Sequence, residues 1–334
     1  MTKSPANRSE LTFFGALQHV TGSMHLGTHN GVTWTVDCGM IQGSRQAEEQ
    51  NYGGWPVDPS QFTTGILTHA HLDHCGRYPR LVHDGFSAPI HMSVQTKELA
   101  RLVMLDAAKL SMEEAKYRHK IALRKGKNPD DDPFTRPLYN TQDVTATLQL
   151  ARTHRLSGGF APIGDGVDMR LHDAGHILGS AHVELKLTLN QQPVHILYSG
   201  DIGRYNVALM RDPAPPPNAD IVVMESTYGD RYHPSGDVPT ELAAVVNETY
   251  ERSGVLIIPA FAISRTQSIL WHLAQLERQG RIPIQPTYLD SPMARQTTAL
   301  YKKYPDVLDP PQQGIRGAMD LPEQYVEVIS RKDS

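Results

Sequence analysis

Cysteine is nearly absent from this chain. Cys38 and Cys75 are its only thiols in 334 residues, too few for the disulfide framework that staples small secreted domains. An excess of positive charge is also missing: 32 Lys and Arg face 36 Asp and Glu, a formal net charge of -4. That excludes a protein holding nucleic acid through bulk charge, although a local basic groove is compatible with it, because net charge is a sum and not a map. No uninterrupted apolar run approaches the ~20 residues of a membrane span. The opening MTKSPANRSE has no apolar stretch of the kind a secretory signal needs, so none is expected. Scarce thiols and no signal point to a reduced, cytoplasmic setting without membrane partners.

Histidine, by contrast, is concentrated. The chain has 16, and THAHLDHCG (68–76) places three of them with an aspartate in six consecutive positions. Imidazole nitrogen suits zinc, and carboxylate oxygen compensates its charge. His69, His71, Asp73 and His74 are too close in sequence to converge easily on one ion. Two metals a few Å apart can share them if alternate residues serve different ions. Such a pair needs a bridging ligand and further donors. Two later strand ends offer them, His176 in DAGHILGSA and Asp201 in YSGDIG. Each alone is an ordinary turn composition. Asp37, ending the run VTWTV, reads as a group that orients a ligand rather than as a ligand. His25, His29, His172, His182 and His195 lack such spacing and read as structural or surface histidines.

Around these residues the chain reads as α/β, with hydrophobic content of 39% and a length suggesting about two domains. GVTWTVDCG, GILTH, VDMRLHDAGH, AHVELKL and HILYSGD read as strands, the third and fourth alternating at period two. The stretch from Thr96 to Lys120 predicts a long helix with Leu99, Val103 and Leu110 on its apolar face. RKGKNPDDDPF follows it as a polar loop. Beyond the Pro-rich RDPAPPPNAD (211–220), the continuous runs IVVM and VLII read as strands covered on both faces. SRTQSILWHLAQLERQG predicts a helix with a capping box from Ser264 to Gln267 and a C-terminal Gly280.

THAHLDHCG, DAGHILGSA and SGDIG, in this order, resemble the motifs of the metallo-β-lactamase superfamily. VMESTYGDR (223–231), IPAFAISRTQSILW (258–271) and TYLDSPMA (287–294) are similar to its β-CASP branch, as are VTGSMHL (20–26) and VDCGMIQG (36–43). That branch comprises RNA- and DNA-processing nucleases, including the cleavage and polyadenylation endonuclease and bacterial exoribonuclease relatives. The resemblance implies an αββα sandwich over residues 1–210 and an inserted β-CASP α/β domain over 211–334, both incomplete at the C-terminus. It implies two Zn2+ ions, one on His69, His71 and His176, the other on Asp73 and His74, with Asp201 bridging. Glu225 matches an acidic motif that orients a catalytic histidine, Asp73 joins it as a catalytic residue, and Arg265 and Ser291, with Met293 nearby, match motifs along the nucleic-acid path.

The activity so implied is hydrolysis of RNA phosphodiester bonds, in endo- or exonuclease mode, leaving 5′-phosphates. Single-stranded DNA stays open as a substrate and a homodimer as an assembly. Two rival readings stay open as well: a catalytically silent RNA-binding or partner subunit, and another hydrolase of the same fold or a DNA-processing nuclease. Two further histidine motifs are expected downstream in the family. Residues 295–334 contain no histidine, so the chain is expected to be C-terminally truncated relative to the family and weak or inactive alone.

Overall fold

A computed structural model describes residues 9–232, 236–309 and 325–327. The described residues divide into two compact units. The first runs to Ala174 and adds Gly179–Ile202 and Ala214–Glu225; the second takes Gly175–Leu178, Gly203–Pro213 and the chain from Ser226.

The first unit contains two sheets. One holds β1 (Glu10–Phe13), β2 (His25–His29), β3 (Val32–Val36), β4 (Thr64–Ile66), β5 (Ile90–Ser93) and β6 (Ala151–His154), in that spatial order. Its first two pairings are antiparallel and the remaining three parallel. The other holds β7 (Ala161–Gly164), β8 (Val167–Asp173), β9 (Ala181–Leu189), β10 (Gln192–Tyr198) and β11 (Ile221–Val223), antiparallel except for the β10–β11 pair. Val32, Trp34, Val36 and Ile66 from the first sheet meet Val167, Met169, Leu171, Val183, Leu185 and Ile196 from the second in one core. Period-two alternation sends these side chains to the inner faces.

The parallel strands need crossovers, and helices supply them. These are α1 (Arg45–Glu49), α2 (Leu72–Cys75), α3 (Tyr78–His83), α4 (Val94–Arg124) and α5 (Thr141–Leu150). Helix α4 packs on β5 and β6. Its first turn is fixed by Ser93, whose Oγ accepts from the Thr96 N–H and donates to the Gly179 carbonyl at 2.7 Å. The Thr96 hydroxyl donates to the same carbonyl. Gly179 has φ +82, and a Cβ there would come within 2.6 Å of Ser93 Oγ, so the close approach requires glycine.

The second unit contains α6 (Val238–Glu251), α7 (Arg265–Arg278), β12 (Thr287–Leu289), α8 (Pro292–Lys303) and the short β13 (Tyr325–Glu327), which pairs in parallel with β12. Ala243, Leu273, Leu276 and Ile282 form its small core.

Several local expectations change. Leu99 and Val103 are buried, but Leu110 is exposed, because α4 outruns the sheet beneath it. The alternation of AHVELKL does not mark a solvated face: Glu184 is 1% exposed and accepts hydrogen bonds from Arg170, His172 and His195. The run IVVM forms only the edge strand β11, and 255–258 (VLII) forms no strand, with Val255 and Ile257 exposed. A continuous apolar run signals a doubly covered strand only where neighbours pair with it and cover it. β11 has one pairing neighbour, β10, and 255–258 has none among the described residues. Ser264 precedes α7 without capping it, since φ +66 turns it out of the extended conformation a cap requires. Gln267 instead turns inward, its Nε2 donating to the Ala262 carbonyl and Thr298 Oγ1. Gly280 does follow the helix with φ +66.

Leu185 is fully buried on the central strand β9. Leu185→Ala should therefore destabilise the first unit by about 2–5 kcal/mol, read as a lowered denaturant midpoint with unchanged slope in far-ultraviolet circular dichroism.

Candidate metal centre

The polar cluster begins where the inner strands end. β3 delivers Asp37, β4 leads through Thr68 into THAHLDHCG, and β10 runs out through Ser199 and Gly200 to Asp201. His71 occupies the N-cap position of the short α2, and Asp73 and His74 lie within it. His69, His71, His176 and Asp201 each present one ligand atom, and these atoms all lie within 4.8 Å of one another.

Asp37 organises the cluster from behind. It is 1% exposed and adopts φ +63, a strained conformation of the kind retained at functional sites. Its Oδ1 accepts from the Thr68 N–H at 2.8 Å, and its Oδ2 accepts from the Thr68 hydroxyl at 2.9 Å. Oδ2 also lies 2.7 Å from His74 Nδ1. Thr68 Oγ1 in turn lies 3.0 Å from His69 Nδ1. Both imidazoles are thus held at Nδ1, and their Nε2 atoms face Asp201. His69 Nε2 is 3.5 Å from Asp201 Oδ2, and His74 Nε2 is 3.1 Å from Oδ1. One carboxylate therefore spans two groups of donors. Asp73 lies beside the second group, its Oδ2 3.9 Å from His74 Nε2.

The backbone of the loop is held just as closely. Ser23, in the VTGSMHL stretch, donates its N–H to the Asp73 carbonyl at 2.9 Å, and Gly39 donates to the Ser23 carbonyl. A Cβ on Gly39 would fall 1.5 Å from the Asp73 carbonyl oxygen, so any side chain there displaces the metal loop. The buried Arg77 donates from Nε to the Gly39 carbonyl at 2.6 Å.

The charges reflect this packing. Burial, with His74 nearby, holds His69 well below the usual histidine range. Burial also disfavours charge on His74, but Asp37 and Asp201 overcome it and push His74 well above that range. Asp201 is buried too, yet His69 and His74 hold it far below the ordinary carboxylate range. Burial raises Asp73. His74 thus lies between two carboxylates, Asp37 and Asp201, that both favour its protonated form. This donor set of imidazoles and carboxylates, with ring orientation fixed by a hydrogen-bonded acid, suits a metal ion.

The other residues singled out in the sequence are placed as follows. Glu225 Oε1 accepts from the Ile202 N–H at 2.7 Å, and its own N–H donates to Ser199 Oγ, so it clamps the turn carrying Asp201. Arg265 is exposed at the first position of α7. Ser291 caps α8, its Oγ accepting from the Ala294 N–H. Thr68 was missed as a functional residue, although it stands at the head of the quoted motif. A threonine before a histidine carries no signal until the fold brings Asp37 against it.

Asp37→Asn should lower metal affinity about 10–100-fold, measured by competition with a chromogenic chelator, while secondary structure is unchanged. Metal uptake should also release a proton at neutral pH, since His74 must be neutral to coordinate. Its raised pKa means that affinity climbs with pH through the His74 titration. Calorimetry in two buffers of different ionisation enthalpy reads this release directly, and equal enthalpies in both would contradict it.

Residues 266–333 match the family model of the Beta-Casp domain. A ribonuclease of Thermus thermophilus is 35% identical over 291 residues, covering 87% of this chain and 60% of its own length. A transcription termination factor, FttA, of Methanosarcina mazei is 32% identical over 286 residues, covering 82% of this chain and 40% of its own length. The chain thus spans roughly half the length of these relatives. Among solved structures, a subclass B3 metallo-β-lactamase from a soil metagenome library aligns with 58% of this chain and 63% of its own at 16% identity and a TM-score of 0.33, too distant to argue from. With the ordered histidine and aspartate motifs in the first unit and the Beta-Casp domain match over residues 266–333, the chain is similar to the metallo-β-lactamase superfamily and to its β-CASP branch.

Proposed function

We propose that this chain carries the metal-binding part of a zinc-dependent nuclease that hydrolyses phosphodiester bonds in RNA. The observation that carries the reading is the pair of imidazoles oriented by Asp37 toward the single carboxylate of Asp201. The ribonuclease name of the Thermus relative supports RNA as substrate. In this reading His69, His71 and His176 would hold one zinc, Asp73 and His74 would hold a second, and Asp201 would be shared between them. Zinc supplies Lewis-acid stabilisation of phosphoryl oxygens and lowers the pKa of water to about 7.

The chain's own residues do the rest. Asp37 and Thr68 keep the His69 and His74 rings turned inward, so ligand geometry needs no rearrangement during reaction. Glu225 holds the 199–202 turn and hence the position of Asp201. Asp73, partly exposed and with its carboxyl raised by burial, takes a proton from the attacking water. Arg265 and Ser291 are the proposed phosphate contacts; Arg265 offers an exposed guanidinium. The two buried free cysteines fit a cytoplasmic setting, and no described helix is long and apolar enough to cross a membrane.

In this reading the first zinc would draw on four named side chains, counting the shared Asp201, and the second on three. Zinc titration should therefore show one tight and one weaker step. Cleavage of end-labelled RNA should follow the weaker step, disappear on chelation, and fall roughly 100-fold or more in Asp201→Asn. RNA bound but uncut at every zinc concentration would establish the silent-subunit reading instead. Single-stranded DNA cut as fast as RNA would move the assignment to DNA processing.

A further inference from the structure

The far end of α4 plays no part in the metal centre, and its charge is opposite to that of the chain. From Lys116 to Lys127 there are six Lys and Arg, with His119, and no acid, in a protein of net charge -4. Lys116, Lys120 and Arg124 are exposed and recur every four residues, so they share one face of the helix. Successive cations on that face stand about 5–6 Å apart, a spacing comparable to that of neighbouring phosphates along a single strand. Leu123, seven residues after Lys116, and Tyr117, seven residues before Arg124, flank this face and are both exposed, Tyr117 at 66%.

The acids nearby are Glu113 and Glu114 before the run and Asp130, Asp131 and Asp132 after it. Glu114 is taken by Arg118, at 2.6 Å, and Asp132 by Arg45, at 2.8 Å. Basic residues in a last helical turn are favoured by the helix dipole, which accounts for Arg124 and Lys125. It does not reach Lys120 and Lys116, one and two turns further back, and it gives no reason to expose an aromatic ring among them. Cations in register on one face with an exposed ring beside them are the composition that grips a phosphate backbone and stacks a base.

We infer that the C-terminal half of α4, centred on Lys116, Lys120 and Arg124 with Tyr117, is a docking surface for single-stranded RNA, distinct from the metal centre. The inference takes its ligand class from the proposed RNA substrate. The first turn of α4 is pinned through Ser93 and Thr96 to Gly179, three residues after His176. From there Lys116 lies 22 residues along the helix and Arg124 30, about 33–45 Å at 1.5 Å per residue. A strand held at this end and at the metals must therefore be long. A 20-mer can bridge the distance and a tetramer cannot.

The test uses the whole chain with Lys116→Glu, Lys120→Glu and Arg124→Glu together, and a gentler variant with glutamine at the same three positions. Binding of a fluorescent single-stranded RNA 20-mer is followed by anisotropy across a salt series in chelator, so no cleavage is required. Losing three phosphate contacts should make the slope of log affinity against log salt shallower by about 2. Affinity should fall at least about tenfold at low salt in the charge reversal and less with glutamine. Binding of an RNA tetramer, zinc content and circular dichroism should not change. Tyr117→Ala should weaken the 20-mer without changing the salt slope. An unchanged 20-mer affinity and slope in the charge reversal would overturn the inference, as would equal losses for tetramer and 20-mer. So would binding of anionic lipid vesicles that exceeds RNA binding and is lost in the same variant. Because binding is read without catalysis, an RNA-binding chain that never cuts would refute the nuclease reading and leave the docking surface standing.

Discussion

Everything polar at the ends of the inner strands depends on the carboxylate of Asp37. It accepts two hydrogen bonds from Thr68 and faces His74 Nδ1 at 2.7 Å, and through the threonine hydroxyl it also governs His69. A buried acid with this many partners is stable as an anion only while all of them stay in place. The left-handed backbone at Asp37 aims the carboxylate back under the loop, and Gly39 two residues later leaves room for that loop to pass. The sandwich serves this arrangement: Trp34 and Val36 on β3 and Leu197 and Tyr198 on β10 are buried, so the strand ends that carry Asp37 and Asp201 have little freedom.

The part of the site within one short segment was legible in the sequence, because four donors in six residues are rare unless something needs them. Asp37 was readable as an orienting acid from its place at a strand end. His176 and Asp201 were weak on their own and gained meaning only from the order of motifs. What stayed hidden depends on distant chain. Thr68 acquires a role only when β3 and β4 lie side by side, and Ser93 with Thr96 only when Gly179 comes against the start of α4. The same reason explains the local failures. A capping box is four residues long, but whether Ser264 can cap depends on how the chain arrives there. The apolar run at 255–258 states a preference for burial and not what would satisfy it.

Composition misled in one instructive way. The outer residues of β9 look solvated by pattern, yet Glu184 is enclosed by an arginine and two histidines. Period-two alternation separates polar from apolar faces and does not separate wet from dry ones. A charged side chain can sit inside when its partners arrive from adjacent strands, and those partners, Arg170, His172 and His195, are scattered over 26 positions of sequence.

The sharing of Asp201 between His69 and His74 has a consequence for how such a centre fills and how it can change. Because one carboxylate touches both rings, whatever occupies one position alters the field at the other, and by linkage the influence is equal in both directions. The two halves are therefore a single thermodynamic unit with a common ledger of charge. If two ions fill the centre as proposed, a substitution meant to retune one would retune its neighbour, so drift toward a different metal or a different reaction would have to proceed through both at once.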